Sequence, residues 1–184
     1  MLFQSREMTK YIPVRLQKKP AKKKGMPAWI KAIPESQAHG SGTYQKRLWR
    51  LVSDFVRIRD FHSFQGRCVA TGAKIGHWRD GNAGHYKSYS VCNGMFKFDE
   101  SNIHLQSAQS NAWGGMDIGH NFAEELNRRN KDSVWGIECD NRLYQNTNIT
   151  TTMVIEKMRD ILSKMKDLPE KPDYYNRVIL LLEA

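Results

Sequence analysis

Apolar residues recur at steps of three and four in two stretches of this 184-residue chain, which predicts two main helices. The first begins near residue 44, and Ser41 or Thr43 can cap its start. Its apolar face is Leu48, Leu51, Val52, Phe55 and Ile58. The second runs from about Thr151 to Leu168, and its face is Val154, Met158, Ile161, Leu162 and Met165.

Two further stretches carry helical patterns, one before and one after the second main helix. The stretch "NFAEELNRR", residues 121–129, predicts one short amphipathic helix. The closing "YYNRVILLLEA" predicts an apolar helix or strand that docks on the body of the protein or on a second subunit.

The pattern between residues 66 and 106 is different and predicts hairpins. Short β-prone pieces are separated there by Gly, Asn and Asp. These pieces are "RCVATG", "AGHYKSYS", "MFKF" and "NIHLQ". Helices on both sides of a small sheet predict an α+β fold.

Composition narrows the class of protein. Hydrophobic residues make up 40% and charged residues 26% of the chain, as in an ordinary globular domain with extensions. No window approaches the roughly 20 apolar residues that cross a membrane, and the N-terminus has no apolar signal region. Three cysteines without clustering argue against a disulfide framework and favour a reducing cytoplasm.

Positive charge is concentrated at the front of the chain. The net charge is +10, and residues 1–31 carry nine Lys and Arg against the single acid Glu7. Residues 98–184 carry ten basic against fourteen acidic residues. This asymmetry favours a nucleic-acid partner over a merely solvated surface, with the run Lys22, Lys23 and Lys24 as DNA contacts. Pro and Gly within residues 15–29 predict a flexible arm or a strand-like lead-in.

A hairpin bearing "AGHY", a strand bearing "NIHLQ" and a helix with Asn111 follow one another, which is a ββα order. In such a unit His85 can act as the general base of phosphodiester hydrolysis, because an imidazole titrates near neutrality. Asn111 can offer a neutral oxygen to a hard divalent ion. Asn102 can hold the loop between the strands through side-chain to backbone hydrogen bonds. Taken alone, a residue such as His85 is more often a half-buried structural histidine, and one such as Asn111 a helix N-cap.

Four motifs follow one another between residues 44 and 115. They are "RIRD" at 57–60, "CVATG" at 68–72, "AGHY" at 83–86 and "FDESNIHLQSAQSN" at 98–111. Together they resemble the phage NinG/Rap family of recombination nucleases. The resemblance implies an HNH-type ββα-metal (His-Me finger) core flanked by helices. It implies a basic arm at 1–42, a nuclease core at 43–115, and a helical region at 116–184 available for dimerisation.

The same resemblance implies an activity, a metal and partners. The expected activity is Mg²⁺- or Mn²⁺-dependent cleavage of DNA at Holliday junctions or D-loops, by a homodimer in the cytoplasm of a bacterial host. His85 and Asn102 are the expected catalytic residues, and Asn111 and His104 the expected metal ligands. His104 could equally be an ordinary strand residue. Arg57, Arg59 and Lys87 are further predicted DNA contacts.

The chain departs from the family pattern at three of the four cysteine positions of two Cys-x-x-Cys motifs. Cys68 remains, whereas Thr71, Ser107 and Ser110 stand where relatives have cysteines. Hydroxyl groups cannot replace thiolates at zinc, so we expect no structural zinc. Hydrogen bonds or packing by Phe96, Val69 and Trp113 must then hold the hairpin against the helix.

Two other functions stay open from sequence. Loss of the cysteines suits a DNA-binding recombination-accessory protein whose nuclease centre has decayed. An RNA-binding basic protein would explain the arm but not the ββα order.

Overall fold

The fold is seven helices around one small sheet in the part of the chain that the structure describes. This computed structural model describes residues 25–36, 42–112, 118–131 and 133–184. The helices are α1 (Ala28–Ala32), α2 (Thr43–Ser63), α3 (Ala108–Ala112), α4 (Ile118–Arg129), α5 (Ser133–Leu143), α6 (Thr151–Met165) and α7 (Tyr175–Glu183). The strands are β1 (Gly81–His85) and β2 (Ile103–Ser107). The predicted α+β class is confirmed.

Helices α2 and α6 form where the apolar spacing predicts them, and each buries the expected face. The predicted cap of α2 is wrong at Thr43, since the capping position is Gly42 and no side chain caps it. Ser41 lies outside the described residues. At α6 the Thr150 hydroxyl accepts a hydrogen bond from the Met153 amide, which satisfies one of the free donors at the helix start.

A described piece of the predicted arm belongs to the core instead. Trp29, Ile30 and Ile33, in and after α1, are buried in the main apolar cluster. Arg47 of α2 holds this piece by donating hydrogen bonds to the Lys31 and Ile33 carbonyl oxygens. The arm assignment is therefore wrong for residues 28–33, because their apolar side chains find partners far along the sequence.

One core joins the three predicted segments. Helix α6 packs along α2, and α7 packs against α1, which confirms docking of the closing segment on the body of the protein. The main cluster includes Ile33, Val52, Ile103, Ile161 and Val178. Boundaries at residues 42 and 115 do not separate apolar cores in the described part of the chain.

The sheet is an antiparallel pair whose register fixes which side chains share a face. Gly81 pairs with Ser107, and His85 pairs with Ile103. Two of the predicted strand pieces are not strands. Met95–Phe98 lies in a 3₁₀ helix, Gly94–Phe98, and residues 68–72 form a turn closed by a bridge between Arg67 and Lys74. In the 3₁₀ helix Met95, Phe96 and Phe98 are all buried, so their pattern lacks the alternation of a half-buried strand.

Among the described residues, no helix combines the length and the apolar character that crossing a membrane would require.

Candidate active site

His85 ends β1, and its imidazole contacts both Lys97 and Trp49. Its Nε2 atom lies 2.8 Å from the carbonyl oxygen of Lys97. A carbonyl oxygen only accepts, so Nε2 carries the hydrogen and the neutral ring has its lone pair on Nδ1. The ring also stacks on the indole of Trp49, with centroids 5.1 Å apart and 11° between the planes. This tautomer and orientation suit a general base.

Sequence reasoning missed three residues of this pocket. Trp49 is a buried member of the apolar face of α2, and Tyr89 meets the His85 ring edge-on at 5.7 Å. The Lys97 Nζ atom lies 4.7 Å from the centroid of the Tyr89 ring. The backbone of Lys97 thus holds the base while its side chain brings a cation to the same pocket. Nothing in the local sequence around Lys97, in "MFKF", or around Tyr89, in "SYS", indicates that these residues lie close to His85.

Asn102 holds the loop that follows His85, which confirms the role predicted for its side chain. It is fully buried. Its Oδ1 accepts from the Lys87 amide at 2.7 Å, and its Nδ2 donates to the Lys87 carbonyl at 3.1 Å. Its backbone carbonyl accepts from the Tyr86 amide at 2.8 Å. A single residue therefore closes the loop between the strands directly behind the base.

The "RIRD" motif at the end of α2 docks the hairpin on this helix. Arg57 donates to Gly81 O at 3.2 Å and pairs with the buried Asp54. Arg59 donates to Glu100 O at 3.0 Å and to Ile103 O at 3.2 Å. Both guanidinium groups are thus engaged within the chain, and their predicted DNA contacts stay predictions.

Asp60 completes this docking from inside the core. It is fully buried and accepts from Arg59 Nε at 2.7 Å and from the Leu105 amide at 2.9 Å. Burial raises the pKa of Asp60, but the charges of Arg59 and His104 outweigh that effect and hold it well below its ordinary value. Asp60 is therefore an ionised anchor that joins α2 to β2.

His104 lies on the opposite face of the hairpin from His85, since neighbouring strand residues alternate. Its Nδ1 lies 3.3 Å from Asp60 Oδ2 and its Nε2 lies 2.9 Å from Ser101 O. Coordination of a metal ion by His104 would have to replace one of these contacts. Its predicted role as a ligand stays a prediction.

The other predicted DNA contacts divide between the described and undescribed parts. Lys87 Nζ pairs with Glu138 of α5, at 2.8 Å and 2.7 Å from the two carboxylate oxygens. This pair ties the loop after His85 to α5. Lys22, Lys23 and Lys24 lie outside the described residues.

Helix α3 follows β2 directly and packs against both strands, so the ββα order exists in three dimensions. Asn111 is in the interior of this short helix, not at its cap, and its side chain is exposed. The described residues hold no group of three or more His, Cys, Asp or Glu that could bind a metal ion. Asn111 fits an ion such as Mg²⁺ that keeps most of its water and is completed by substrate phosphates, but not a closed protein cage.

Gly84, which precedes the base, has no side chain to offer as a ligand, and the Gln106 side chain occupies the space where one would begin. A Cβ atom there would lie 2.4 Å from the side chain of Gln106, which is buried on the same face of the sheet. The position in β1 next to the base is therefore filled from β2.

The four positions of the lost cysteine clip do come together. Cys68 Sγ lies 3.3 Å from Ser110 Oγ, and Ser107 Oγ donates to Ser110 Oγ at 3.1 Å. Burial raises the pKa of the Cys68 thiol, but hydrogen bonds from Ser110 and Thr71 lower it to about 7. Val69, Phe96 and Leu105 pack beside this group, and the Val69 amide donates to Leu105 O at 3.0 Å. Hydroxyl groups and packing thus join the turn, the hairpin and α3, as expected; Trp113 lies outside the described residues.

Sequence comparison matches residues 4–171 to the family described as the bacteriophage lambda NinG protein. The chain belongs to the NinG family. No curated protein and no solved structure matches it.

The NinG match extends well beyond the motifs at residues 44–115 and includes most of both flanks. That extent agrees with the fold, in which α1 and α6 share one core with α2. The region that matches the NinG family is therefore larger than the segment that contains β1, β2 and α3.

Proposed function

We propose that this NinG-family chain is a metal-dependent endodeoxyribonuclease that cuts branched recombination intermediates, namely four-way junctions or D-loops. The observation that carries the proposal is the fixed imidazole of His85. Its tautomer is set by the Lys97 carbonyl, its orientation by Trp49, and its loop by Asn102. The preference for branched DNA rests on the resemblance of the motifs to recombination nucleases.

His85 handles the proton in this proposal. Nδ1 takes the proton from the attacking water, which turns the ring into an imidazolium. The Lys97 carbonyl accepts from Nε2 in both states, and the Trp49 face stabilises the new positive charge. General-base catalysis of this kind contributes about 10²- to 10⁴-fold in rate.

Lys97 and Asn111 serve the phosphate. The Lys97 ammonium lies over the ring of Tyr89, which itself contacts the His85 ring, and in this proposal it pairs with a phosphate oxygen. Asn111 would hold a divalent ion through its amide oxygen, whereas His104 lies on the opposite face of the hairpin from His85 and takes no part in this proposal. The bound ion supplies charge stabilisation at the scissile phosphate.

A homodimer suits this substrate. A four-way junction offers two equivalent strands for cleavage, and a twofold pair of chains presents two equivalent sites. Sedimentation of the chain with and without a four-way junction tests that part of the proposal; a single chain on each cleaved junction would contradict it.

The activity itself is tested on three DNA substrates of matched sequence: a linear duplex, a supercoiled plasmid and a four-way junction. Purified chain with Mg²⁺ or Mn²⁺ is expected to cut the junction faster than the duplex, and chelation is expected to stop cleavage. Tight junction binding without cleavage at any metal concentration would instead support a DNA-binding accessory protein, the reading that the missing cysteines favour. Binding to RNA alone would contradict both.

A further inference from the structure

A cavity lies on the face of the hairpin opposite His85. It has a volume of about 400 Å³ and lies between the end of α2, His104 of β2, the end of α4 and the start of α5. His104 lines this cavity, and the alternation along β2 separates it from the His85 pocket. Nothing in the proposed reaction uses the space.

Arg129 lines the cavity with an unsatisfied donor. Its side chain is only 5% exposed, and its guanidinium carbon lies 3.7 Å from the centroid of the Phe64 ring. Nε donates to Glu125 at 2.8 Å, but the buried Nη1 has no hydrogen-bond partner among the described residues. A buried charged donor without a partner is unfavourable, so an acceptor in the cavity would stabilise it.

Charges around the cavity favour an anion. Glu125 is shared by Arg128 and Arg129, so this group of three carries one net positive charge. Lys131 and the first turn of α5, at Ser133 and Gly136, also line the cavity. The start of this 11-residue helix adds the positive end of its dipole, although its Ser133 and Val134 amides already donate to Asn130 O and to Asn127 Oδ1.

The acidic residues that line the cavity are mostly neutralised. Asp60 is paired with Arg59 and contacts His104. Glu100 is held by Lys157 and Lys164 of α6. Asp140 remains as one opposing carboxylate, against the net charge of the Arg129 group, the ammonium of Lys131 and the helix start.

We propose that this cavity binds a phosphate group, with Arg129 as the principal donor and with Lys131 and the positive end of the α5 dipole adding to its positive potential. The phosphate could come from a DNA backbone or from a free nucleotide, since both present the same oxyanion. This site would act separately from the His85 centre and needs no metal.

Titration of the full chain with inorganic phosphate, followed by NMR of the backbone amides at constant ionic strength, tests the proposal. The Ser133 and Gly136 amide signals are expected to shift and to saturate, and a chloride titration is expected to leave them in place. The wild-type chain is sufficient for this measurement, so it does not depend on a variant that folds. Shifts confined to other residues, or none at all, would overturn the proposal.

Arg129→Gln and Arg128→Gln form a matched pair for the same titration. Both residues pair with Glu125, but Arg128 is 72% exposed and does not line this cavity. Arg129→Gln is expected to weaken phosphate binding about 10- to 100-fold, as for a lost charged hydrogen bond, whereas Arg128→Gln stays within a few-fold of wild type. Equal affinity in the two variants would contradict the assignment.

A nucleoside monophosphate and a short duplex, titrated in parallel, then identify the source of the phosphate. Saturable shifts with the nucleotide that exceed those with phosphate assign the site to a free nucleotide. Shifts with the duplex that Arg129→Gln removes assign it to the DNA backbone. If neither the nucleotide nor the duplex shifts the Ser133 or Gly136 signals, that result contradicts a phosphate site.

Discussion

The imidazole of His85 lies parallel to the indole of Trp49, with 5.1 Å between the ring centroids. The two residues come from β1 and α2, and each is fixed by its own element. Trp49 is 5% exposed, so the indole forms a rigid wall that the imidazole cannot displace. The stack therefore sets the direction of the His85 lone pair.

Substitution of Trp49 should lower the rate of cleavage at temperatures where the variant is still folded. Trp49→Leu is expected to slow single-turnover cleavage by about 10²-fold, since a misplacement near 1 Å can cost that much. Trp49→Phe keeps a ring and should recover most of the rate. The measurement is made well below the melting midpoints of all variants.

Trp29→Leu is the matched control for this effect. Trp29 is 6% exposed and lies in the same apolar cluster, but its ring faces Arg159 rather than His85. Both leucine variants should lose stability to a similar extent, by less than the roughly 3–5 kcal/mol that truncation of a buried Trp to Ala costs. Equal cleavage rates in the two would show that the stack has no role in catalysis.

Asn111 and His104 can be separated by the metal requirement. Asn111 is exposed, so Asn111→Ala should change stability by no more than about 0.5 kcal/mol. We expect the Mg²⁺ concentration for half-maximal cleavage to rise about tenfold or more. The same rise in His104→Ala would establish His104 as a ligand; a loss of stability alone would assign it to its contacts with Asp60 and Ser101. An unchanged Mg²⁺ requirement in Asn111→Ala would remove Asn111 from the metal site.

The sequence could predict the elements with regular spacing but not the contacts between them. Helices α2 and α6 carry a periodic apolar face over four turns or more, and both were predictable. Helix α1, which lies between Pro27 and Pro34, is only five residues long, too short for a period to show. The 3₁₀ helix at Gly94–Phe98 looks β-prone because its apolar residues are close together, although its turns bury three of them.

The same limit applies to the site. The ββα order placed His85 and Asn102 in one unit, and the NinG motifs gave them roles. Trp49 and Lys97 carried no signal, because one looks like any core residue and the other acts through its backbone carbonyl. The engagement of Arg57 and Arg59 within the chain depends on the hairpin docking on α2, which no local pattern records.

The buried Asp60 anchor gives stability a defined dependence on pH. Its pKa is lowered by folding, so its contribution is present above the unfolded value of about 4 and falls as the pH drops below it. Asp60→Asn should cost about 3–5 kcal/mol at pH 7, because Arg59 and His104 lose their buried partner. The cost should shrink in urea unfolding at pH 3.

An exposed pair serves as the control for Asp60. Asp173 is 92% exposed and pairs with Arg79 at 2.8 Å, so Asp173→Asn should cost no more than about 1 kcal/mol. Costs of similar size for the two substitutions at pH 7 would mean that Asp60 does not anchor the hairpin.

The cluster of hydroxyl side chains around Cys68 leads to a prediction about zinc binding. Elemental analysis of the chain, with any affinity tag removed, should show well below one zinc per chain. Because Cys68, Ser110 and Ser107 already lie together, the triple change Thr71→Cys, Ser107→Cys and Ser110→Cys should create a four-thiolate site and bind about one zinc. Stoichiometric zinc in the wild-type chain, or none in the triple variant, would contradict this account of the four positions.

The most direct test of the central claim is single-turnover cleavage of a four-way junction by His85→Ala, with junction binding measured on the same samples. Loss of the general base should slow cleavage by about 10²- to 10⁴-fold at saturating Mg²⁺, while binding stays near that of the wild-type chain. Cleavage within a few-fold of wild type would contradict the assignment of His85 as the base.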